Sequence, residues 1–306
     1  MVKILSLKKE YVKSVEEVFD EFIYYCEIKN LSINTILYYK DKLEMFSKYY
    51  NFNKPINIIN KRDVYGYIYF LQNTRKVKTT TINTYLRALR TFLYYAMDNG
   101  YLNKFKIEMI KTDLKIKKTY SNKELKKLLR KPNKKGNTFA QYRNWVIVNF
   151  LIGTGCRSRT LLNIKIKDLD LENGYVLFRI TKSRKQQLLP ISRSLNKIIL
   201  DYLSIRRGEE EDYLFCTNEG DKLSREGLKS AIKRYNHSRD VEKTSIHLFR
   251  HTFAKKWILN YGDPYKLQKI LGHSNMDMVK NYLNMYTEDI KKDFELYNPL
   301  EEFVSE

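Results

Sequence analysis

The sequence predicts a mainly α-helical protein with one small antiparallel β-sheet, arranged as two domains. The chain has 306 residues, which at roughly 150 residues per domain corresponds to two domains. Apolar residues recur at helical spacings of three and four in both halves, as they do between Thr80 and Asn99. Only residues 164–191 change to the alternation of β-strands, around the turn signal Asn173-Gly174.

Residues 1–103 are predicted to form a helical bundle. We expect helices over residues 15–28, 61–71 and 80–99, and a further helix that begins after an N-cap at Ser32. Gly100 has the position of a C′ glycine at the end of the last of these helices. Basic residues lie just before the last helix and on its polar side. They are Lys76, Lys78, Arg87 and Arg90.

A basic linker is predicted over residues 104–119, because lysines there interrupt the apolar periodicity. Three of them are Lys115, Lys117 and Lys118. The second domain is predicted over 120–296, where Ser121 and Glu124 have the spacing of a capping box. Residues 139–154 are apolar enough to form a buried helix, and three short strands follow within 164–191.

Helices return after Ser192. The apolar spacing predicts them over 195–205, 224–235, 246–259, 264–271 and 276–284. Asp263 is a candidate N-cap with Pro264 at the first helical position. A final amphipathic helix is expected after Thr287, followed by a tail over 297–306.

The composition restricts the class of function. Lysine and arginine number 57 against 35 acidic residues, giving a net charge of +22, which predicts a polyanionic partner, either nucleic acid or an acidic membrane surface. The longest nearly apolar run, 145–152, is far below the ~18 residues that span a bilayer. We expect a cytoplasmic, nucleoid-associated protein. Three widely spaced cysteines, Cys26, Cys156 and Cys216, form neither a disulfide framework nor a zinc pattern, and no metal or cofactor is expected.

The scarce histidines are concentrated in one region. Of the chain's four histidines, three lie between positions 247 and 273. His247 and Arg250 are three residues apart, so on a helix they project from the same face and can engage a single phosphate. His273 follows Leu271-Gly272, and Tyr282 lies nine positions after His273.

Two further basic residues precede this region. Arg157 follows the bend Gly153-Thr-Gly-Cys, and Lys182 lies on a turn of the predicted sheet. In this order the six residues resemble the motifs of the tyrosine site-specific recombinases, a family that includes phage integrases and Xer-type resolvases. The resemblance implies a SAM-like core-binding domain followed by a mixed α+β catalytic domain. It also implies the catalytic residues Arg157, Lys182, His247, Arg250, His273 and Tyr282.

The chemistry of a phosphodiester is consistent with these roles. Two guanidinium groups, those of Arg157 and Arg250, can hold the non-bridging oxygens and neutralise the charge that develops on phosphorus. His273 is expected to donate a hydrogen bond to a phosphate oxygen. A covalent 3′-phosphotyrosine keeps the energy of the broken bond, so resealing requires neither ATP nor metal.

The proton transfers fall to three other residues. Tyr282 is the expected nucleophile, and because a phenol has a pKa of ~10 it needs a base, for which His247 is the candidate. Lys182 is the expected general acid for the leaving 5′-oxygen. Tyr286 and Lys185 are the nearest rivals for the roles of nucleophile and acid.

One position departs from the family pattern. Three residues after Arg157 the family commonly has an acidic residue that would orient the basic groups, whereas this chain has Thr160. A catalytically degenerate DNA-binding or regulatory protein is therefore an alternative, as is a type IB topoisomerase-like enzyme. Asp168 and Asp170 are interpreted as turn and edge residues and not as metal ligands. The expected partner is a specific double-stranded DNA site, bound by a homotetramer of a chain that can be monomeric in solution, with accessory DNA-bending proteins possible and no membrane.

Overall fold

The structure is a computed structural model that describes residues 11–112, 118–132, 138–181, 186–273, 275, 276, 279 and 298–300. The chain divides into two compact units, Met1–Leu114 and Lys115–Glu306. Within the described residues, no helix combines the length and the apolar character needed to cross a membrane.

Within residues 11–112, the first unit contains four packed α-helices. Its helices are α1 (Val15–Ile28), α2 (Ile33–Ser47), α3 (Lys61–Tyr69) and α4 (Thr79–Asp98). Side chains of Ser14, Ser32 and Asn60 cap the first three helices by accepting hydrogen bonds from backbone N–H groups that have no partner within the helix. Gly100 follows α4 with φ +75°, as expected of a glycine that ends a helix.

Aromatic residues dominate the core of the first unit. Phe22, Phe46, Tyr67 and Phe92 are almost wholly buried, and Phe46 meets Tyr67 edge to face with ring centroids 5.0 Å apart. Part of the predicted linker also packs on this core, because Ile107 is buried there and Asn83 exchanges two hydrogen bonds with the backbone of Ile110.

The second unit builds its core around one helix. The helices are α5 (Asn122–Leu129), α6 (Phe139–Thr154), α7 (Ser158–Leu161), α8 (Arg193–Arg206), α9 (Arg225–His237), α10 (Ile246–Leu259) and α11 (Pro264–Leu271). Helix α6 contacts α5, α8, α9 and α10 and is buried on nearly all sides, which explains its apolar sequence. Strands β1 (Leu169–Asp170), β2 (Tyr175–Phe178) and β3 (Gln187–Pro190) form an antiparallel sheet in the order β1-β2-β3.

Most predicted boundaries are confirmed, and those of α6, α10 and α11 coincide with the predicted ranges. The third helix was predicted to reach Leu71, but α3 ends at Tyr69 and a π-helical turn over Phe70–Thr74 follows. Within the region of alternation predicted over 164–191, β2 ends at Phe178, where its pairing with β3 stops opposite Gln187. The helix predicted over 224–235 continues to His237, an exposed residue in the last turn of α9.

Some predicted elements lie outside the described residues. These are most of the helix predicted over 276–284, the helix after Thr287 and, apart from residues 298–300, the tail over 297–306.

Candidate active site

Two glycine turns position the basic residues of the second unit. Helix α6 ends at Gly155 with φ +63°, and α11 ends at Gly272 with φ +58°, a conformation that favours glycine. A Cβ atom at Gly155 would lie 2.6 Å from Cδ1 of Phe253, so any side chain at this position would collide with Phe253. The turn therefore requires glycine for steric reasons as well. Arg157 and His273 follow these turns by two residues and one residue.

Arg250 connects the two turns. It lies on α10 and its residue is only 7% exposed. Its Nη1 donates to the carbonyl oxygen of Gly155 at 2.8 Å, and its Nη2 donates to that of Leu271 at 2.6 Å. The same Nη2 lies 2.7 Å from Nε2 of His273, which is also 7% exposed. The guanidinium plane is therefore fixed by backbone atoms from two separate elements.

Arg157 reaches the same turn from another direction. It is the N-cap residue of α7, and its Nη2 donates to the carbonyl oxygen of Gly272 at 3.3 Å. Consecutive carbonyl groups, those of Leu271 and Gly272, thus hold the two arginines. The structure brings three predicted site residues, Arg157, Arg250 and His273, to one stretch of backbone.

His247 lies on the same face of α10 as Arg250, one turn earlier. Its side chain is exposed, yet the surrounding protein removes part of its hydration, and this lowers the pKa of His247 below its usual value. The positive charges of Arg250, Arg225 and Arg157 lower the pKa further. The lowered pKa favours the neutral imidazole, which is the form that can accept a proton.

Cys156 directly precedes Arg157 and Thr160 follows it by three residues, and both side chains are uncharged. Burial raises the pKa of the Cys156 thiol to about 11, so the thiol stays protonated and chemically inert. Thr160, the residue that departs from the family pattern, is buried in α7. A neutral residue therefore occupies this interior position.

The two aspartates of the sheet region have structural contacts. Asp170 accepts hydrogen bonds from Asn173, as expected of a turn residue. Asp168 is buried, accepts the backbone N–H of Lys165 and forms an ion pair with Arg179, so it is an interior capping residue and not a residue of the strand edge. Within the described ranges, no group of three or more histidines, cysteines or acidic residues has the arrangement of a metal site.

Sequence reasoning missed two residues near the site. Gln187, at the start of β3, donates from Nε2 to the carbonyl oxygens of Lys269 and Ile270. Arg225, at the start of α9, contributes to the positive potential at His247. Neither residue belongs to a motif, and each comes near the site only through the fold, so the sequence contained no signal for them.

Other predicted residues are distributed as follows. Lys76, Lys78, Arg87 and Lys118 are exposed, and Arg90 is half-buried on α4. The remaining candidates lie outside the described residues: Lys115, Lys117, Lys182, Lys185, Tyr282 and Tyr286.

Comparison with known proteins identifies both units. Residues 118–289 match the phage integrase family, and residues 18–101 match the N-terminal SAM-like domain of phage integrases. The chain is 24% identical to tyrosine recombinase XerD of Listeria innocua serovar 6a over 299 residues, covering 93% of this chain and 99% of the relative. It is 28% identical to tyrosine recombinase XerA of Thermococcus kodakarensis over 298 residues, covering 95% and 98%.

Solved structures show the same fold. The Tn1549 transposon integrase in complex with transposon right end DNA superposes with a TM-score of 0.72 at 19% identity, covering 92% of this chain and 99% of the other. The XerA recombinase crystal structure gives a TM-score of 0.52 at 24% identity, covering 93% and 99%.

A SAM-like helical unit followed by an integrase-type unit defines the class of tyrosine site-specific recombinases, enzymes that cleave and rejoin DNA. The phage integrase match spans residues 118–289, which is more than half of the 306 residues. The chain belongs to the phage integrase family.

Proposed function

We propose that this recombinase breaks and rejoins DNA strands at a specific site through a covalent bond between Tyr282 and a 3′-phosphate. The observation that carries the proposal is the convergence of Arg157, Arg250 and His273 at the C-terminal end of α11. Family membership supports it, and so do relatives that are themselves tyrosine recombinases and solved structures of the same fold in complex with DNA.

Arg157 and Arg250 bind the scissile phosphate. Backbone carbonyl groups orient both side chains, and a neutral carbonyl anchors a guanidinium without cancelling its charge. The positive charge therefore acts on the phosphate oxygens, where it counters the negative charge that grows in the transition state. His273, beside Arg250, donates a hydrogen bond to one of these oxygens.

Proton transfers divide between His247 and Lys182. The lowered pKa of His247 supports its role as the base that takes the phenolic proton of Tyr282, because a neutral imidazole is available at pH 7. The phenolate attacks phosphorus, the bond to the 5′-oxygen breaks, and Lys182 supplies the proton to that oxygen. The roles of Lys182 and Tyr282 rest on their motif positions.

The natural substrate of this chemistry is a specific double-stranded DNA site inside the cell, bound by a homotetramer that exchanges strands through a Holliday junction. Accessory DNA-bending proteins assist where the site requires them. No metal or ATP takes part, because the phosphotyrosine bond is resealed by a DNA 5′-hydroxyl. The basic residues that contact the DNA backbone away from the cleavage point are Lys76, Lys78, Arg87, Arg90, Lys115, Lys117 and Lys118.

Trapping of the covalent complex tests the proposal. A site is first selected from a random duplex pool, and a nick is placed so that the cleaved strand diffuses away. We expect a covalent protein–DNA product in EDTA for the wild type and for Tyr286→Phe, and none for Tyr282→Phe, which should still bind the site.

Each contrary result has a distinct meaning. A covalent product from Tyr282→Phe refutes the assignment of the nucleophile. Binding without any covalent product from the wild type identifies a degenerate DNA-binding protein. Relaxation of supercoiled DNA without recombinant junctions identifies a topoisomerase-like activity.

A further inference from the structure

Gln187 joins the small sheet to the end of α11. It is the first residue of β3, where its backbone pairs opposite Phe178. Its side-chain Nε2 donates to the carbonyl oxygen of Lys269 at 2.7 Å and to that of Ile270 at 2.9 Å. One amide nitrogen thus binds two consecutive carbonyl groups in the last turn of a helix 82 residues further along the chain.

The last carbonyl groups of a helix lack partners within the helix and need donors from elsewhere. Here every carbonyl from residue 268 to residue 272 has one. The N–H of His273 donates to Gln268, Gln187 donates to Lys269 and Ile270, Arg250 donates to Leu271, and Arg157 donates to Gly272. Gln187 therefore binds the carbonyl groups of Lys269 and Ile270. The next two carbonyl groups along the chain are the ones that accept hydrogen bonds from Arg250 and Arg157.

The amide of Gln187 also lies beside Arg157. A Cβ atom at Gly272 would be 3.2 Å from Oε1 of Gln187 and 3.8 Å from Nη1 of Arg157. The glutamine amide and the guanidinium thus approach the same side of Gly272. A neutral amide at this place supports the turn without competing for the charge of Arg157.

We infer that Gln187 is a positioning residue for the phosphate-binding arginines. It acts through the backbone of residues 269–272, whose place decides where Arg157, Arg250 and His273 meet the scissile phosphate. This inference rests on the proposed function, because the phosphate is the group that these side chains bind. Reacting groups displaced by about 1 Å commonly react about 100-fold more slowly.

Two substitutions remove the hydrogen bonds in different ways. Gln187→Ala deletes the side chain, which leaves the carbonyl group of Ile270 to water and that of Lys269 with the N–H of Gly272 as its donor. Gln187→Glu keeps the shape, loses both N–H donors and brings a negative charge close to Arg157. The neighbouring Gln186 is exposed, and Gln186→Ala is the matched control because it removes the same side chain one position earlier.

A charge-neutral substrate separates a positioning role from general loss of structure. In a methylphosphonate one non-bridging oxygen is replaced by a methyl group, so this linkage depends less on correctly placed guanidinium groups. Single-turnover covalent cleavage of the nicked site is measured with a phosphodiester and with a methylphosphonate at the scissile position. Affinity for the DNA site and the melting temperature are measured for the same variants.

We expect Gln187→Ala to slow cleavage of the phosphodiester by about 10- to 100-fold. Cleavage of the methylphosphonate should fall much less, so the ratio of the two rates shifts toward the neutral substrate. Gln187→Glu should shift the ratio in the same direction, and Gln186→Ala should match the wild type. DNA affinity should stay unchanged in all three variants.

Equal losses on both substrates, or wild-type rates for Gln187→Ala, would overturn the role of Gln187 while leaving the proposed function intact. A wild-type chain that binds the site and gives no covalent product on either substrate refutes the proposed function itself, and the role of Gln187 with it.

Discussion

In the first unit, Lys76, Lys78 and Arg87 lie on the surface, whereas in the second unit Arg143 and Arg250 are buried with 6% and 7% of their area exposed. Water and salt screen the surface charges, so in the proposed function they attract DNA mainly through their sum. A buried guanidinium is poorly screened and acts at one point, but it needs hydrogen bonds to replace lost water. In the proposed function, identical charges therefore serve two purposes, affinity in the first unit and chemistry at Arg250 in the second.

The buried arginines themselves differ in what surrounds them. Arg143 donates from Nη1 to the carbonyl oxygen of Cys216 at 2.6 Å and also bonds the side chain of Asn144, all within one packed region. Arg250 instead joins two glycine turns next to His273. Buried Arg143 thus stabilises the packing of its surroundings, whereas buried Arg250 belongs to the candidate active site.

The largest effect should come from replacing Arg250 with lysine. Lysine keeps the positive charge, but a single ammonium group cannot reproduce the fork that bonds Gly155 and Leu271. We expect the single-turnover rate of covalent cleavage to fall about 10³-fold. Arg143→Lys is the matched control, since it disturbs an equally buried arginine and should reduce stability without changing the rate per folded molecule. Similar rate losses for both variants would remove the distinction between these two arginines.

The glycines that end α4 and α6 offer a second contrast. Both have positive φ, but a Cβ atom at Gly100 meets nothing within 4 Å, whereas one at Gly155 collides with Phe253. We expect Gly100→Ala to lower the free energy of unfolding of the first unit by about 1–2 kcal/mol. Gly155→Ala should lower that of the second unit by about 2–4 kcal/mol, because overpacking adds to backbone strain.

Fluorescence separates the two units in this measurement. The chain has 2 tryptophans, Trp145 and Trp257, and both lie in the second unit. Denaturation followed by tryptophan fluorescence should therefore shift for Gly155→Ala only, while the helical circular dichroism signal responds to both variants. A fluorescence midpoint unchanged by Gly155→Ala would show that the turn tolerates a side chain.

Local signals explain why much of the fold was predictable. Caps such as Ser32 and Ser121, and the glycine Gly155, act within a few residues of the helix end, so their sequence spacing already determines the boundary. The π-helical turn after Tyr69 has no such signal, because its residues remain compatible with a longer α-helix.

The site was predictable only in part, for a related reason. Arg157, Arg250 and His273 stand in motifs, and a resemblance can be read from their order. The contacts that hold them join side chains to backbone carbonyl groups far away in sequence, as Arg250 does to Gly155 and Gln187 does to Lys269. A carbonyl group is present at every residue, so no residue type marks the partner in advance.

The pH dependence of cleavage should depend on His247, the exposed residue of the candidate site whose pKa is lowered by partial burial and by neighbouring positive charges. Its lowered pKa means that the neutral imidazole, the base of the proposed mechanism, persists to lower pH than in an ordinary histidine and is lost as the pH falls through that lowered pKa. The cleavage rate should therefore decline with acidification as the pH falls through this lowered pKa. Arg225→Gln removes one of the charges that depress the pKa, so the midpoint should move to higher pH.

Arg234→Gln serves as the control for this pH profile. Arg234 is exposed on α9, the helix that also carries Arg225, and the charge of Arg234 acts on buried Arg143. Its removal should leave the midpoint of cleavage where it was. If Arg225→Gln and Arg234→Gln shift the midpoint equally, the depression of the His247 pKa reflects the net charge of the unit and not a specific neighbour.

The smallest effect should come from single surface charges of the first unit. We expect Lys78→Ala or Arg87→Ala to weaken DNA binding only a few-fold and to reduce the slope of log affinity against log salt by about one. Lys29 is the matched control: it is exposed at the end of α1, a helix with acidic residues in its first turn and no basic residue in its last, which is unsuited to a polyanion. Lys29→Ala should therefore leave the salt slope unchanged. The same slope change for Lys29→Ala and Arg87→Ala would mean that the first unit attracts DNA through its total charge and has no defined binding face.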